Sequence, residues 1–331
     1  MLKELSKYVV IGIAAGVVAY LFTAKESVSI NVANNDQKEV ITAGNSYNEI
    51  YRSVKDSVVT INTDRGRGSG VIITDQGHIV TNEHVINGAK KIRIITSDNI
   101  SYPASIVGVD KITDIALLKS SYIGKALTFS DSSKVKIGDI VLAIGNPFGV
   151  GQTLTQGIIS RTNSGHITAN PLDEFLQSDA AINPGNSGGA MVNLSGNLIG
   201  INTMNLSIGG GSDGIGLAVP SNLVRKITEQ IIKHGRAVRG YVGLSALDTS
   251  DGVLITNVVD GGPAYSSGLK NNDVIISINN REISNIREVV KIVASLEVEE
   301  EISVTFRRNG ELIQSTIKVA AMPETHKTIK R

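Results

Sequence analysis

The chain has no cysteine among its 331 residues. That absence excludes thiol nucleophiles, thiolate metal sites and disulfides together. It suits an oxidising compartment but does not demand one. Proline is scarce, with seven residues, whereas glycine is plentiful at 34. Many tight turns and few rigid kinks favour a β-rich fold. Charged residues make up 19 %, below the usual quarter or so, which argues against a disordered or coiled-coil chain. Neither sign dominates: 32 basic against 31 acidic residues leave a net charge of +1. No global field therefore draws the protein to nucleic acid, and the pairs Lys90-Lys91 and Arg307-Arg308 read as solvated turns. The five histidines are scattered and no His-Glu-x-x-His occurs, so no metal is expected. With 41 % hydrophobic residues, a chain of this length can fill about two or three cores.

One apolar run stands out. Tyr8 to Phe22 carries no charge and is flanked by Lys3, Lys7 and Lys25. Extended through Ala24 as a helix it reaches about 25 Å, just under a ~30 Å hydrocarbon core, and lysine stems can complete the span. A cleaved signal peptide is the competing reading. Cutting after Ala24 would place Phe22 where a small residue is wanted, so a retained anchor is favoured. The preceding lysines then leave the amino terminus in the cytoplasm and export the rest. Residues 1–26 are thus expected to be the anchor. Residues 27–45, rich in Asn, Asp and Gln, read as a tether.

From residue 46 short β-like runs separated by turn signals follow one another: 57–63, 69–75, 91–98, 114–120, 139–145, 154–162, 189–196, 198–203 and 215–220. Such spacing suits antiparallel barrels or sandwiches. At Ser221 the period changes, and Leu223, Val224, Ile227, Ile231 and Ile232 share one helical face. Ser221 is the expected N-cap and Gly235 the C-terminal stop, which marks a domain boundary. Residues 236–322 then read as a small β-rich module of five or so strands. It has a helix over about 285–296 and a closing hairpin with an Asn309-Gly310 turn. Residues 323–331 read as a loose tail.

Three residues carry the chemistry. Ser187 sits in Asn183-Pro184-Gly185-Asn186-Ser187-Gly188-Gly189, where glycines let backbone amides converge on one carbonyl oxygen. His84 follows the strand-like His78-Ile79-Val80, and Asp114 stands at the mouth of the apolar Ile115-Ala116-Leu117-Leu118. Alone, Ser187 reads equally as a plain Gly-rich turn, His84 more readily as a surface or satisfied core histidine, and Asp114 more readily as a strand-start or turn aspartate. Their order His…Asp…Ser is that of one class of serine protease triad. By contrast, Gly209, Gly211 and Gly214 match G-x-G-x-x-G but lead into a strand and lack the acid of a dinucleotide site, so no cofactor is expected.

The segments TNEHV, TDIALLK, GNPFG, SDAAINPGNSGG and GLAVP, followed by RGYVGL, resemble in order and spacing the HtrA family of serine proteases. The anchor and single terminal module fit its membrane-anchored DegS branch. The resemblance implies an all-β-dominated chain: a chymotrypsin-like double-barrel protease domain over 46–235, then one PDZ domain over 236–322. It makes Ser187 the nucleophile, His84 the base, Asp114 its orienter, and the Gly185 and Ser187 amides the oxyanion hole. Ile182, Ile201 and Leu217 would line an apolar specificity pocket, predicting cleavage after small or medium aliphatic residues. Tyr241, Val242, Gly243, Leu244, Val289 and Val293 would form a groove for peptide carboxyl termini, with Val290 on the same helix wall. The loop 161–174 resembles a sensor loop but lacks a second arginine near Ser164. The family further implies a homotrimer built near Tyr47 and Tyr51 in the bacterial periplasm. Its partners would be termini of misfolded outer-membrane proteins and a membrane-bound anti-sigma factor. A general quality-control protease and a peptide-holding chaperone are the other readings.

Overall fold

The computed structural model describes residues 47–146, 151–162, 172, 174–206 and 213–323. The anchor, the tether, most of the sensor-like loop, Gly209, Gly211 and nearly all of the tail lie outside the described residues. Among the described residues no helix is long and apolar enough to cross a membrane. The described residues from Tyr47 onward belong to one compact unit.

After a short helix over 47–54 (α1), six antiparallel strands close a first barrel. Around it the order is β1 (Val58–Thr63), β2 (Arg67–Ile72), β3 (His78–Thr81), β6 (Ile115–Ser120), β5 (Ser101–Asp110) and β4 (Ile92–Ile95). Six more close a second, ordered β10 (Ala190–Val192), β11 (Leu198–Asn205), β12 (Gly216–Pro220), β9 (Leu176–Ser178), β8 (Thr153–Arg161) and β7 (Ile140–Gly145). Closure removes the exposed edges that strands of this length would otherwise present.

Side chains alternate between two destinations along each strand. Val59, Ile61, Ile72, Ile79, Ile94 and Leu118 cluster only with residues of the first barrel. Val141, Ala143, Ile159, Met191 and Ala218 cluster only with the second. The intervening positions, Val58, Val71, Leu117, Leu142, Ile144 and Val219, meet in a third cluster drawn from both barrels. Alternation thus builds two barrel interiors and one shared layer between them. A fully buried Ile or Leu is worth about 2 kcal/mol, so the shared layer holds the barrels firmly in register.

Helix α3 (Ser221–His234) closes the layer with Val224, Ile227 and Ile231. Gly235 stops it as expected, in the left-handed conformation at φ 75°, donating to the Ile231 carbonyl. Ser221 is not the N-cap: Pro220 occupies that position, and the Ser221 hydroxyl donates instead to the Ser130 carbonyl at 2.6 Å. Tertiary packing of the helix start onto the 130–132 turn claims the hydroxyl first.

The remaining module is a sheet ordered β14 (Leu244–Thr249), β15 (Gly252–Val258), β16 (Val274–Ile278), β18 (Glu301–Arg308) and β19 (Glu311–Lys318). The two-residue β17 (Arg281–Glu282) pairs with β16. The module has its own core around Ile275, Val304 and Phe306. Asn309 and Gly310 both have positive φ, 50° and 88°, as the expected turn requires. A single turn, α4 (Pro263–Ser266), precedes β16, and α5 (Ile286–Ser295) is capped by Asn285, whose side chain accepts from the Glu288 amide. β13 (Gly240–Tyr241) pairs with β20 (Ala320–Ala321), so the chain begins and ends the module at one place.

Candidate active site

β3 ends at Thr81, and the chain turns through buried Asn82 into a single helical turn, α2 (Glu83–Ile86), which carries His84. Asp114 stands at the end of the turn joining β5 to β6. Its backbone is left-handed at φ 55°, a conformation that Asp tolerates at a cost of about 1 kcal/mol. Several bonds hold it there. Its carbonyl accepts from the Glu83 amide at 3.1 Å and from Asn82 Nδ2 at 3.0 Å. Its Oδ1 accepts from the His84 amide at 2.9 Å, and its Oδ2 lies 2.7 Å from His84 Nδ1. The carboxylate therefore fixes both the position and the tilt of the imidazole, leaving Nε2 to face the cleft.

Ser187 approaches from the second barrel on a bend tied by Asn186 N–H to the Asn183 carbonyl and by Gly189 N–H to the Asn186 carbonyl. Gly188 is obligatory there: its φ is 84°, and a Cβ would lie 2.1 Å from the Ser69 carbonyl oxygen and 2.3 Å from Thr81 Oγ1. Ser69 in turn donates its hydroxyl to the Gly185 carbonyl at 2.7 Å and its amide to the Ser187 carbonyl at 2.8 Å. The first barrel thus braces the bend. Among the described residues the amides of Gly185 and Ser187 donate to no protein acceptor. Two donors left without partners beside a hydroxyl are what a developing oxyanion requires.

The Ser187 hydroxyl donates to the Thr203 carbonyl at 2.9 Å, and not to His84. Thr203 also donates its own hydroxyl to Asp114 Oδ2 at 2.8 Å. One residue of β11 therefore touches the carboxylate and the alcohol together. Sequence reasoning missed Thr203 and Ser69, because their roles arise from strand register across the barrels and leave no local pattern.

Two cavities meet at Ser187 and His84. One, of about 680 Å³, is walled by Phe175, Ile182, Pro184, Thr203, Met204 and Asn205, with Lys111 to Asp114 on the other side. The other, of about 590 Å³, runs from Ser187 and Gly185 to Val85, Asn87 and the β1–β2 turn. Ile182 lines the first cavity. Ile201 and Leu217 do not: both are fully buried in the shared layer, because their places on β11 and β12 turn them away from the cleft.

Residues 68–201 match the family of trypsin-like peptidase domains, and residues 240–319 the PDZ domain. The chain is 36 % identical to the serine endoprotease DegS of Escherichia coli (strain K12), over 98 % of this chain and 100 % of that protein. It belongs to the HtrA family of serine endoproteases. The periplasmic pH-dependent serine endoprotease DegQ of the same organism is 39 % identical across 75 % of this chain, which spans only 58 % of DegQ. Among solved structures, an AlgW variant of the HtrA type with a decapeptide superposes with a TM-score of 0.80. It is 35 % identical, covering 85 % of this chain and 99 % of that one.

In this HtrA chain a second groove, of about 180 Å³, lies in the PDZ module. Tyr241, Val242, Gly243 and Leu244 form one wall, and Val289, Val290 and Val293 of α5 the other, so all the residues expected there are brought together. Gly243 is left-handed at φ 76°. Arg239 sits at the groove's base and forms a bidentate ion pair with Asp110 at the end of β5, Nη1 to Oδ1 at 2.8 Å. The two side chains are only 10 % and 4 % exposed. Thr113 donates to the same carboxylate, one residue before Asp114. Leu172, from the sensor-like loop, also lines the groove, and Glu174 reaches Lys291 of α5 at 3.5 Å. Tyr47 and Tyr51 pack against the shared layer, Tyr51 donating to Gln152 at 3.4 Å.

Proposed function

We propose that the chain cleaves peptide bonds with Ser187 as nucleophile, His84 as base and Asp114 as the group that orients and charges-balances the imidazole. The observation that carries this is the bonded chain from His84 through Asp114 to Thr203 and on to Ser187. For turnover the Ser187 hydroxyl must leave the Thr203 carbonyl and present its proton to His84 Nε2, a change of one side-chain rotamer. Oγ then attacks the carbonyl, the Gly185 and Ser187 amides bind the oxyanion, and His84 returns the proton to the departing amine. Water, deprotonated by the same imidazole, hydrolyses the acyl enzyme. The apolar wall at Ile182 and Met204 favours a small or medium aliphatic residue before the cut bond.

Residues 1–26 hold this protease at the bacterial inner membrane with both folded domains in the periplasm, and the working form is a homotrimer. The similarity to DegS over nearly its whole length supports this assignment. The PDZ groove takes free carboxyl termini of misfolded outer-membrane proteins, and the enzyme makes the first cut in a membrane-bound anti-sigma factor. The Arg239–Asp110 pair supports the coupling, since it ties the groove's base to the turn that carries Asp114. A general quality-control protease is the second reading, favoured by the identity to DegQ.

A fluorophosphonate probe is expected to label the full chain, and Ser187→Ala to abolish labelling. Labelling that persists in the variant, or none with free-carboxyl peptides present, overturns the assignment. Peptides with a free carboxyl terminus are expected to raise kcat/KM, and amidated versions to have no effect.

A further inference from the structure

The cavity beyond Ser187, on the side away from Ile182, is walled by two arginines. Arg65, Gly66 and Arg67 form its outer face, with Val85 and Asn87 beside His84, and no carboxylate lines it. A peptide crossing Ser187 lies in both cavities. If the residue before the cut bond sits against Ile182 and Met204, the residues after it enter the arginine-walled side.

The arginines are placed by backbone geometry. β1 ends at Thr63 and β2 starts at Arg67, and the turn between them is tied by Thr63 N–H to the Gly66 carbonyl at 2.9 Å. The Thr63 hydroxyl also accepts from the Arg65 and Gly66 amides. Arg67 Nε donates to Asn62 Oδ1 at 3.3 Å, leaving the rest of its guanidinium uncommitted. The Arg65 guanidinium lies over Gly88, where a Cβ would stand 2.8 Å from Nη1, so the absent side chain makes room for the cation.

One neighbouring acid bears on this pair without forming an ion pair with it. Asp64 stands next to Arg65 in sequence, but its Oδ1 accepts the Lys90 and Lys91 amides at 2.9 and 3.3 Å. Those amides, and more weakly the Arg65 charge beside it, hold its carboxyl below the usual range, so it offsets part of the Arg65 field. Among the described residues neither Arg65 nor Arg67 makes an ion pair with a carboxylate. Lys90 and Lys91 add further positive charge behind the loop.

We propose that Arg65 and Arg67 form a subsite that selects substrates with an acidic residue within three positions after the cut bond. The inference rests on Ser187 being the nucleophile. It adds to the aliphatic preference before the bond a charge preference after it, set by two residues of one turn. Because both arginines are solvent-exposed, each contributes about threefold, and salt weakens the effect as the Debye length contracts below about 10 Å above 0.1 M.

The test uses the full chain and a set of decapeptides that carry valine before the cut bond and end in free-carboxyl valine. They differ only in having Asp, Ala or Lys at the first, second or third position after it. The ratio of kcat/KM for the best Asp peptide over its Lys counterpart is expected to be about ten in the wild type. It should shrink in 0.5 M salt, fall to within about twofold of unity in the Arg65→Ala, Arg67→Ala double variant, and invert in the double Glu variant. A wild-type ratio within about twofold of unity, or one that survives the double alanine change, overturns the subsite. Should the double Glu variant fail to fold, the alanine variant alone decides. Fluorophosphonate labelling of the wild type separates the failures: a labelled enzyme with a flat ratio removes only the subsite, whereas an unlabelled one removes the nucleophile as well.

Discussion

The two halves of the candidate active site are built to different tolerances. On the first barrel, the main chain and carboxylate of Asp114 engage Asn82, Glu83, His84 and Thr203 within 2.7 to 3.1 Å. On the second, the Ser187 hydroxyl is parked on a carbonyl and the neighbouring amides of Gly185 and Ser187 wait without acceptors. The proposed base is prebuilt, and the proposed nucleophile is one rotation from use. Holding the expensive left-handed aspartate rigid while leaving the cheap torsion free means that activity can be set by small changes on the serine side alone.

The largest blow to this contrast is Asp114→Asn. Asn adopts the left-handed backbone as readily, so the fold should survive. The amide has one acceptor oxygen where the carboxylate has two, however: with that oxygen on the His84 backbone amide, its NH2 faces Nδ1 and favours the wrong imidazole tautomer, and kcat is expected to drop by about 10⁴ with an unchanged thermal midpoint. Steady-state kinetics beside calorimetry would show it, and a parallel collapse of the midpoint would mean that the carboxylate is a structural pin.

Next in size is Arg239→Ala. Removing one partner of a nearly dry ion pair strands Asp110 and is expected to cost about 3 kcal/mol of stability. It should also blunt stimulation by free-carboxyl peptides. Full stimulation in a destabilised variant would show that the pair only holds the modules together.

Thr203→Val keeps the carbonyl that parks Ser187 but deletes the hydroxyl on Asp114. We expect kcat to fall about tenfold, in line with losing a hydrogen bond to a charged group, with fluorophosphonate still reaching Ser187. Loss of labelling would place the effect on the serine half instead.

The smallest effect belongs to Asp131, far from the cleft. Bonds from Asn222 Nδ2 and from Ser133 lower its carboxyl to about 2, and they tie the start of α3 to the preceding turn. Because the folded-state value lies below the unfolded one, its contribution is present above about pH 4 and is lost as pH falls toward 2. Wild type and Asp131→Asn should therefore differ in denaturant midpoint at pH 5 and converge at pH 2. A constant gap would point to side-chain shape, not charge.

Much of this was legible in the amino-acid order. The strands at 58–63, 115–120 and 140–145 are visible as apolar runs between turns, and three short motifs point to the proposed triad. β5 escaped notice, although it is ten residues long, because its outer positions are exposed and it contains Pro103 and Gly108. The resemblance places Ile201 and Leu217 in the cleft, but the parity of a strand position is decided by pairing and bulges. β11 shifts register against β12 between Asn202 and Met204. Thr203, at that irregularity, reaches Asp114 through geometry that no local pattern encodes.

The pairing of β13 with β20 carries a mechanical consequence. Met322 donates to the Arg239 carbonyl at 2.9 Å, and only two residues on each strand are joined beyond that point. Tension applied at the carboxyl end would peel these rungs one after another, as a zip opens, and would load the linker before it loaded the long β18–β19 hairpin. Anything that grips the chain after Pro323 thus pulls first on the residue that clasps Asp110, in series with the turn beneath the imidazole.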